Sequence, residues 1–356
     1  MADNSGKILK SIQPGKITLP IIIGLAVTAY FLYKEFDPNI LTSFSFTVQS
    51  LFWFFISFLM MGIRDFGYII RIRLLTANQL TWRKAFNVIM LWEFASAITP
   101  SAIGGTGVAI FFINKEGIKV GRSTAVVMVT SFLDELYFII TFPLILLFIG
   151  RTDIFTFGDS LMDGMPWYKN QFFMFAFIGY LLKLSYTIVI SYGLFFNPRG
   201  LKWLLLWIFK LPIIRRWRPQ ANESGSDLIA TSQEFKRWPF MNWFKAFVAT
   251  SISWTARYWI VNTLILAFFG FELLGWNDHI LIFGKQLVMW IMMLVSPTPG
   301  GSGFAEWVFK EFLASMIPIG TGMALAFMWR LVSYYPYLVV GAFIVPRWIR
   351  KHFISV

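Results

Sequence analysis

The sequence predicts an all-α, polytopic membrane protein with about six spanning helices and two opposed re-entrant hairpins that form an inverted repeat. Three observations predict it. The composition is 57% hydrophobic and 19% aromatic but only 14% charged, where a soluble domain carries about a quarter charged residues. Apolar runs close to the ~20 residues that cross a bilayer recur along the whole chain. Two further apolar stretches are interrupted by proline and glycine at corresponding places. Lipid cannot satisfy backbone N–H and C=O groups, so apolar runs of this length are expected as helices.

The same composition excludes other classes. A net charge of +13 would raise the question of nucleic acid in a soluble protein, but here it is explained by loops on an anionic membrane face, and no nucleic acid is expected. The 356 residues contain no cysteine and two histidines, His279 and His352. No disulfide framework, thiol nucleophile or metal site follows from that inventory, and no cofactor is expected. The Gly-Lys pairs at Gly6, Gly15 and Gly284 are followed by Ile, Ile and Gln, so no nucleotide-binding loop is present.

Taken in order, the spanning candidates are Ile17–Tyr33, Phe44–Ile63, Thr124–Ile149, Phe172–Phe196, Phe244–Phe269 and Thr321–Val345. Lys7, Lys10 and Lys16 precede the first, as in a signal peptide, but the run is long and lacks a small-residue cleavage site, so it is expected to be retained. Basic residues then sort the loops. One side holds Lys7, Lys10 and Lys16; Arg64, Arg71, Arg73, Arg83 and Lys84; Lys115, Lys119 and Arg122; nine within 197–245; and Arg347, Arg350 and Lys351. The opposite side holds Lys34, Arg151 and Lys169. By the positive-inside rule both termini are expected in the cytoplasm.

Two interrupted stretches remain. The first, Ala85–Asn114, is broken at Thr99-Pro100-Ser101-Ala102-Ile103-Gly104-Gly105-Thr106-Gly107 and flanked on both sides by basic residues. The second, Ile280–Ile317, is broken at Ser296-Pro297-Thr298-Pro299-Gly300-Gly301-Ser302-Gly303, with Glu272 and Asp278 before it and an uncharged turn after it. The first should therefore enter and leave from the cytoplasm, and the second from outside. Ala85–Ile98 as a helix reaches about 21 Å, short of a hydrocarbon core of about 30 Å. Irregular backbone at that depth needs protein or water around it, so the two breaks are expected to meet in the interior.

The halves also repeat. Gly104-Gly105-Thr106-Gly107 and Gly300-Gly301-Ser302-Gly303 share G-G-[ST]-G, and thirty positions beyond the first glycine of each stand Asp134 and Arg330. Interrupted segments at matching places of an inverted repeat point to a transport site near the midplane. The plainer reading is two unrelated glycine-rich turns. The chain is thus divided into a single membrane domain over 1–356, with a first half over 1–196 containing the hairpin 85–114, a cytoplasmic interfacial segment over 197–243, and a second half over 244–356 containing the hairpin 280–317. Within the interfacial segment, Trp203, Trp207 and Trp217 alternate with Lys202, Lys210, Arg215, Arg216 and Arg218, which suits a helix lying on an anionic leaflet. Ala221–Asp227 is expected as a free loop.

Glu93, Asp134, Glu135, Lys183, Arg257, Lys285, Glu306 and Arg330 fall within or beside apolar helices. A charge at a helix centre costs at least ~2.5 kcal/mol, so each should face a partner or water, and Lys183 is expected to snorkel. Together with Thr99, Pro100, Gly104, Gly105, Thr106, Pro299, Gly300, Gly301 and Ser302, seven of them (all but Lys183) form the expected binding set. Helix N-termini after glycine turns suit phosphate, and Arg257, Arg330 and Lys285 add cationic donors. The acidic members suit a cationic headgroup or a coupling proton. The expected ligand is a phospholipid or polyprenyl lipid.

Three segments also carry a family likeness: Glu93–Gly107 (EFASAITPSAIGGTG), Phe132–Tyr137 (FLDELY) and Ser296–Glu306 (SPTPGGSGFAE). On them the chain resembles the flippase-like integral membrane family named for the transmembrane region of lysylphosphatidylglycerol synthases. The resemblance implies a bacterial inner-membrane location, translocation of lipid headgroups between leaflets, and a separate lipid-modifying enzyme as a partner. The soluble aminoacyltransferase domain of the synthases is not expected here, nor is synthase activity. The leading expectation is a flippase for an anionic, zwitterionic or aminoacylated lipid. The alternatives are a polyprenyl-phosphate-dependent membrane glycosyltransferase, for which Glu35-Phe36-Asp37 would supply the acidic pair, and a secondary transporter of a small solute or ion.

Overall fold

The computed structural model describes residues 47–99, 101–149, 153–155, 171–208, 210, 218–293, 298, 301 and 303–354, and they are almost wholly helical. The first expected span and Glu35-Phe36-Asp37 lie outside the described residues, as do Arg151, Lys169 and Trp217.

Helix α1, Val48–Leu75, opens on Thr47, whose hydroxyl accepts the Ser50 N–H. It closes through a left-handed turn at Ala77 and Asn78, where the Asn78 N–H donates to the Arg73 carbonyl at 2.7 Å. This corrects the expected span, which stopped at Ile63. The helix continues because apolar residues persist between its charges, so Arg64 and Arg71 are buried inside the bundle rather than lying in a cytoplasmic loop. Neither can mark a membrane face.

Next come α2, Trp82–Ile98, and α3, Ser101–Lys115, which fold back on one another as a helical hairpin. Thr99 ends α2 with an extended ψ of 142°, the conformation that a following proline imposes. Helix is present again from Ser101, and Gly104-Gly105-Thr106-Gly107 continues α3 as helix instead of forming a loop. Gly105 is there because a Cβ at that position would collide with the Ser96 side chain of α2. Small residues let two helices approach closely where lipid gives no hydrophobic drive.

Helix α4, Val120–Ile149, is followed by a short 3-10 turn at Asp153–Phe155 and by α5, Gln171–Ser191, which passes into a π-helical turn at Tyr192–Phe196. Between the halves lie α6, Pro198–Ile208, and α7, Arg218–Lys236. Trp203 and Trp207 of α6 are exposed, and Lys202 bonds Ser226 of α7. Residues 221–227, expected as a free loop, are helical within α7. They are held there because α7 packs on the start of α4, with Gly121 against Asp227 and Leu228 and a two-pronged Arg122–Glu234 pair at 2.9 Å.

After α7 a long helix again precedes a hairpin. Helix α8, Phe240–Phe269, leads to a hairpin of α9, Trp276–Met293, and α10, Phe304–Leu313, and then to α11, Gly322–Ser333, and α12, Tyr335–Ile349. Among the described residues, four helical segments are long and apolar enough to cross a membrane: Val48–Leu75, Val120–Ile149, Phe172–Phe196 and Gly322–His352. Helix α8 has 30 residues but is not among them.

Helices α1 and α8 are antiparallel neighbours along much of their length. Trp53 meets Phe271, Ser57 bonds Thr263, the Arg64 carbonyl accepts from Ser253, and Arg71 donates to Thr250. Gly67 permits this approach, since a Cβ there would strike Ser253 and the Ala249 carbonyl. Each hairpin packs on the other half. Phe94 of α2 fills the space over Gly341 of α12, and Phe112 of α3 meets Trp348. In return, Gly284 of α9 lies against Ile145 of α4, and Ile291 against Gly179 of α5.

Candidate functional site

The site is built on α1. Arg64, Tyr68 and Arg71 follow at intervals of four and three residues, so they share one helical face. Both guanidinium groups lie over the Tyr68 ring, at 4.8 and 4.7 Å. Each then reaches a carboxylate on another element. Arg64 pairs with Glu93 of α2 at 2.7 Å and donates to Asp65 and to the Tyr337 hydroxyl of α12. Tyr337 in turn donates to Asp65 at 2.8 Å. Arg71 pairs with Asp134 of α4 at 2.5 Å. The Trp254 indole N–H of α8 donates to the same Asp134 oxygen at 2.7 Å.

Around Trp254 an aromatic wall is assembled. Tyr137 and Tyr258 stack on it and Trp290 of α9 meets it edge-on at 5.1 Å. Arg257, one turn along α8, lies over both indoles, 5.4 Å from Trp254 and 5.1 Å from Trp290. Among the described residues it makes no hydrogen bond or ion pair. Its neighbours supply π faces alone.

A second cluster joins the two breaks. Gly301 and Gly303 adopt positive φ, 71° and 83°, which glycine alone takes without strain. This turn delivers the Gly303 N–H to Glu306 at 2.7 Å, and the other Glu306 oxygen accepts from Arg330 at 2.9 Å. The Arg330 guanidinium lies over Tyr334, whose hydroxyl donates to the carbonyl of Ala97, two residues before the first break ends α2. A Cβ on Gly301 would touch Met293 and approach Arg330. The breaks are therefore bridged by Arg330 and Tyr334.

Exposure separates the ion pairs. Asp65, Glu93, Asp134 and Glu135 are 19–24% exposed, while their partners Arg64, Arg71 and Lys183 are buried at 5% or less. The Glu306–Arg330 pair is closed, at 2% and 6%. Lys183 corrects an expectation. It does not snorkel but holds both oxygens of Glu135, at 2.8 and 2.7 Å, under the Phe138 ring. In a low-dielectric bundle that pairing is cheaper than an isolated ammonium.

Of the expected binding residues, Glu93, Asp134, Glu306 and Arg330 carry the ion pairs that link the elements, and Arg257 stands beside them. Glu135 faces α5 instead. Lys285 is buried on α9. Thr99 turns its hydroxyl back to the Ala95 carbonyl. Gly104 and Gly105 are part of the α3 helix and form no phosphate-cradling loop. Pro100, Pro299, Gly300 and Ser302 lie outside the described residues, as does the side chain of Thr106.

Residues 17–341 match the family model for the lysylphosphatidylglycerol synthase TM region. The chain belongs to that family. A UPF0104 membrane protein of Archaeoglobus fulgidus is 25% identical over 347 residues, covering 90% of this chain and 94% of the relative. No solved structure matches the chain. The archaeal relative means that similarity by itself does not restrict this family member to bacteria.

Sequence reasoning missed Arg64, Asp65, Tyr68 and Arg71 as members of this cluster, and Trp254 and Trp290 with them. The signal for the first group was present in the four-and-three spacing of Arg64, Tyr68 and Arg71, a helical face where a loop was expected. The tryptophans carried no separate signal among sixteen.

Proposed function

We propose that this member of the lysylphosphatidylglycerol synthase TM region family is a lipid translocase, passing a phospholipid headgroup between leaflets along the charged cluster between α1, α2, α4 and α8. The observation that carries the reading is the arrangement of charge. Carboxylate edges of Asp65, Glu93 and Asp134 are accessible while their arginines are buried behind them. Arg257, flanked by indoles, has no carboxylate partner among the described residues. An ammonium-bearing headgroup meets the carboxylates, and its phosphate meets Arg257.

The hairpins support the same reading. Their helices have 17, 15, 18 and 10 residues, giving lengths of about 25, 22, 27 and 15 Å, each short of a core of about 30 Å. We therefore take both as re-entrant, the first from the cytoplasm and the second from outside, with both termini cytoplasmic and the protein in a bacterial inner membrane. The antiparallel α1 and α8 fit halves of opposite orientation. With no nucleotide-binding loop in the sequence, a lipid or ion gradient supplies the drive. A separate lipid-modifying enzyme would deliver the substrate.

The test is reconstitution into liposomes containing headgroup-labelled phosphatidylethanolamine, phosphatidylglycerol, lysyl-phosphatidylglycerol or a polyprenyl phosphate, with a membrane-impermeant quencher reporting on the outer leaflet. Protein-dependent exchange of at least one amine-bearing lipid is the expected result. Absence of exchange for all four lipids overturns the reading.

A further inference from the structure

A groove on the exposed side of α4 and α5 lies one helical turn from a charged pair, and we infer that it is the lateral portal where one acyl chain of a phospholipid lodges while its headgroup enters the protein. The inference rests on the translocase reading and adds the point of entry. Phe132 of α4 and Thr187, Ile188, Ser191, Tyr192 and Phe196 of α5 and its π turn line the groove. Its outer rim faces away from the bundle: Ile188, Tyr192 and Phe196 are each more than half exposed.

A charged pair lies beside the groove. Glu135 lies three residues after Phe132, and Lys183 four residues before Thr187, so each is one helical turn from the groove. The pair is 2.7 Å apart, with the ammonium buried and the carboxylate 19% exposed. Glu135 adjoins Asp134, which is bound to Arg71 and Trp254. The charged pair beside the groove is thus next in sequence to a member of the central cluster.

Two properties identify the occupant. An apolar groove opening on the bilayer is in contact with hydrocarbon, and a carboxylate beside an ammonium one turn away complements a zwitterionic head. A free solute would match the pair but not the groove. The π turn at Tyr192–Phe196 adds a residue to the helix exactly where α5 borders the groove, and such local widenings recur at functional sites.

Wild-type proteoliposomes carrying a phosphatidylethanolamine with a diazirine on one acyl chain test the portal, with adducts mapped by peptide mass spectrometry. Adducts concentrated on Phe132, Tyr192 and Phe196 are expected. Ser191→Trp, which fills the groove, should lower adduct yield and transport by about tenfold, an effect of about 1.4 kcal/mol. Leu182→Trp, on the lipid-exposed face of the same helix, should change neither. Adducts spread evenly over the exposed face of α5 overturn the portal, as does wild-type transport by a folded Ser191→Trp protein. If Ser191→Trp does not fold, the wild-type adduct map decides. Concentrated adducts without any transport would leave the lipid groove standing and remove the translocase reading; transport with an unlabelled groove would do the reverse.

Discussion

Trp254 and Asp134 are joined by a 2.7 Å hydrogen bond from the indole N–H to the carboxylate oxygen that also receives Arg71. The bond ties α8 to α4 across the centre of the bundle and fixes the indole against which Arg257 lies. Trp254→Phe keeps the ring and removes the donor. Transport should fall by about tenfold, while unfolding in detergent shifts by only ~1 kcal/mol, the usual net worth of one hydrogen bond.

Arg257→Gln tests the proposed anion contact directly. Because no carboxylate depends on this guanidinium among the described residues, its loss should leave thermal stability close to that of wild type. Headgroup exchange in liposomes should fall by at least tenfold, or about 1.4 kcal/mol, with Arg257→Lys recovering part of it. Equal exchange by wild type and Arg257→Gln would remove this residue from the site.

Glu306 and Arg330 are both buried, so breaking the pair should be costly. Glu306→Ala is expected to destabilise by about 3–5 kcal/mol, since it takes the carboxylate away from a buried cation and from the Gly303 N–H. The double change Glu306→Leu with Arg330→Met should restore much of the stability but no transport. Differential scanning measurements in detergent and the liposome assay separate the two effects.

Two glycines should respond in opposite directions. Gly341→Val drives a side chain into Phe94 and should destabilise the contact of the first hairpin with α12 by about 1–3 kcal/mol. Gly107 has open space at its Cβ position and helical backbone, so Gly107→Ala should be neutral or stabilise by about 0.5 kcal/mol. A strong loss of stability in Gly107→Ala would restore the glycine motif as a functional loop.

What the sequence made legible was set by contrast with lipid. Apolar runs located α1, α4, α5 and the helices after Thr321, and Pro100 marked where α2 must stop. Glu93, Asp134, Glu306 and Arg330 stood out because charge in an apolar run is costly. Arg64 and Arg71 were hidden by the same logic. Their charge ended the apparent span at Ile63, although the helix pays for them with Glu93 and Asp134, which lie far away in sequence. The glycines of α3 misled because their intrinsic preference is for turns, and only the proximity of Ser96 explains them as helix. Residues 221–227 looked like a loop because polarity on all sides gives no period, and the packing of Gly121 that orders them is a tertiary contact.

The Tyr68 ring is a single surface that serves the arginines of both ion pairs. Seven residues of helix, about 10.5 Å, separate the cations, yet each leans on one shared aromatic surface. A change at Tyr68 would therefore reach the Glu93 pair and the Asp134 pair together.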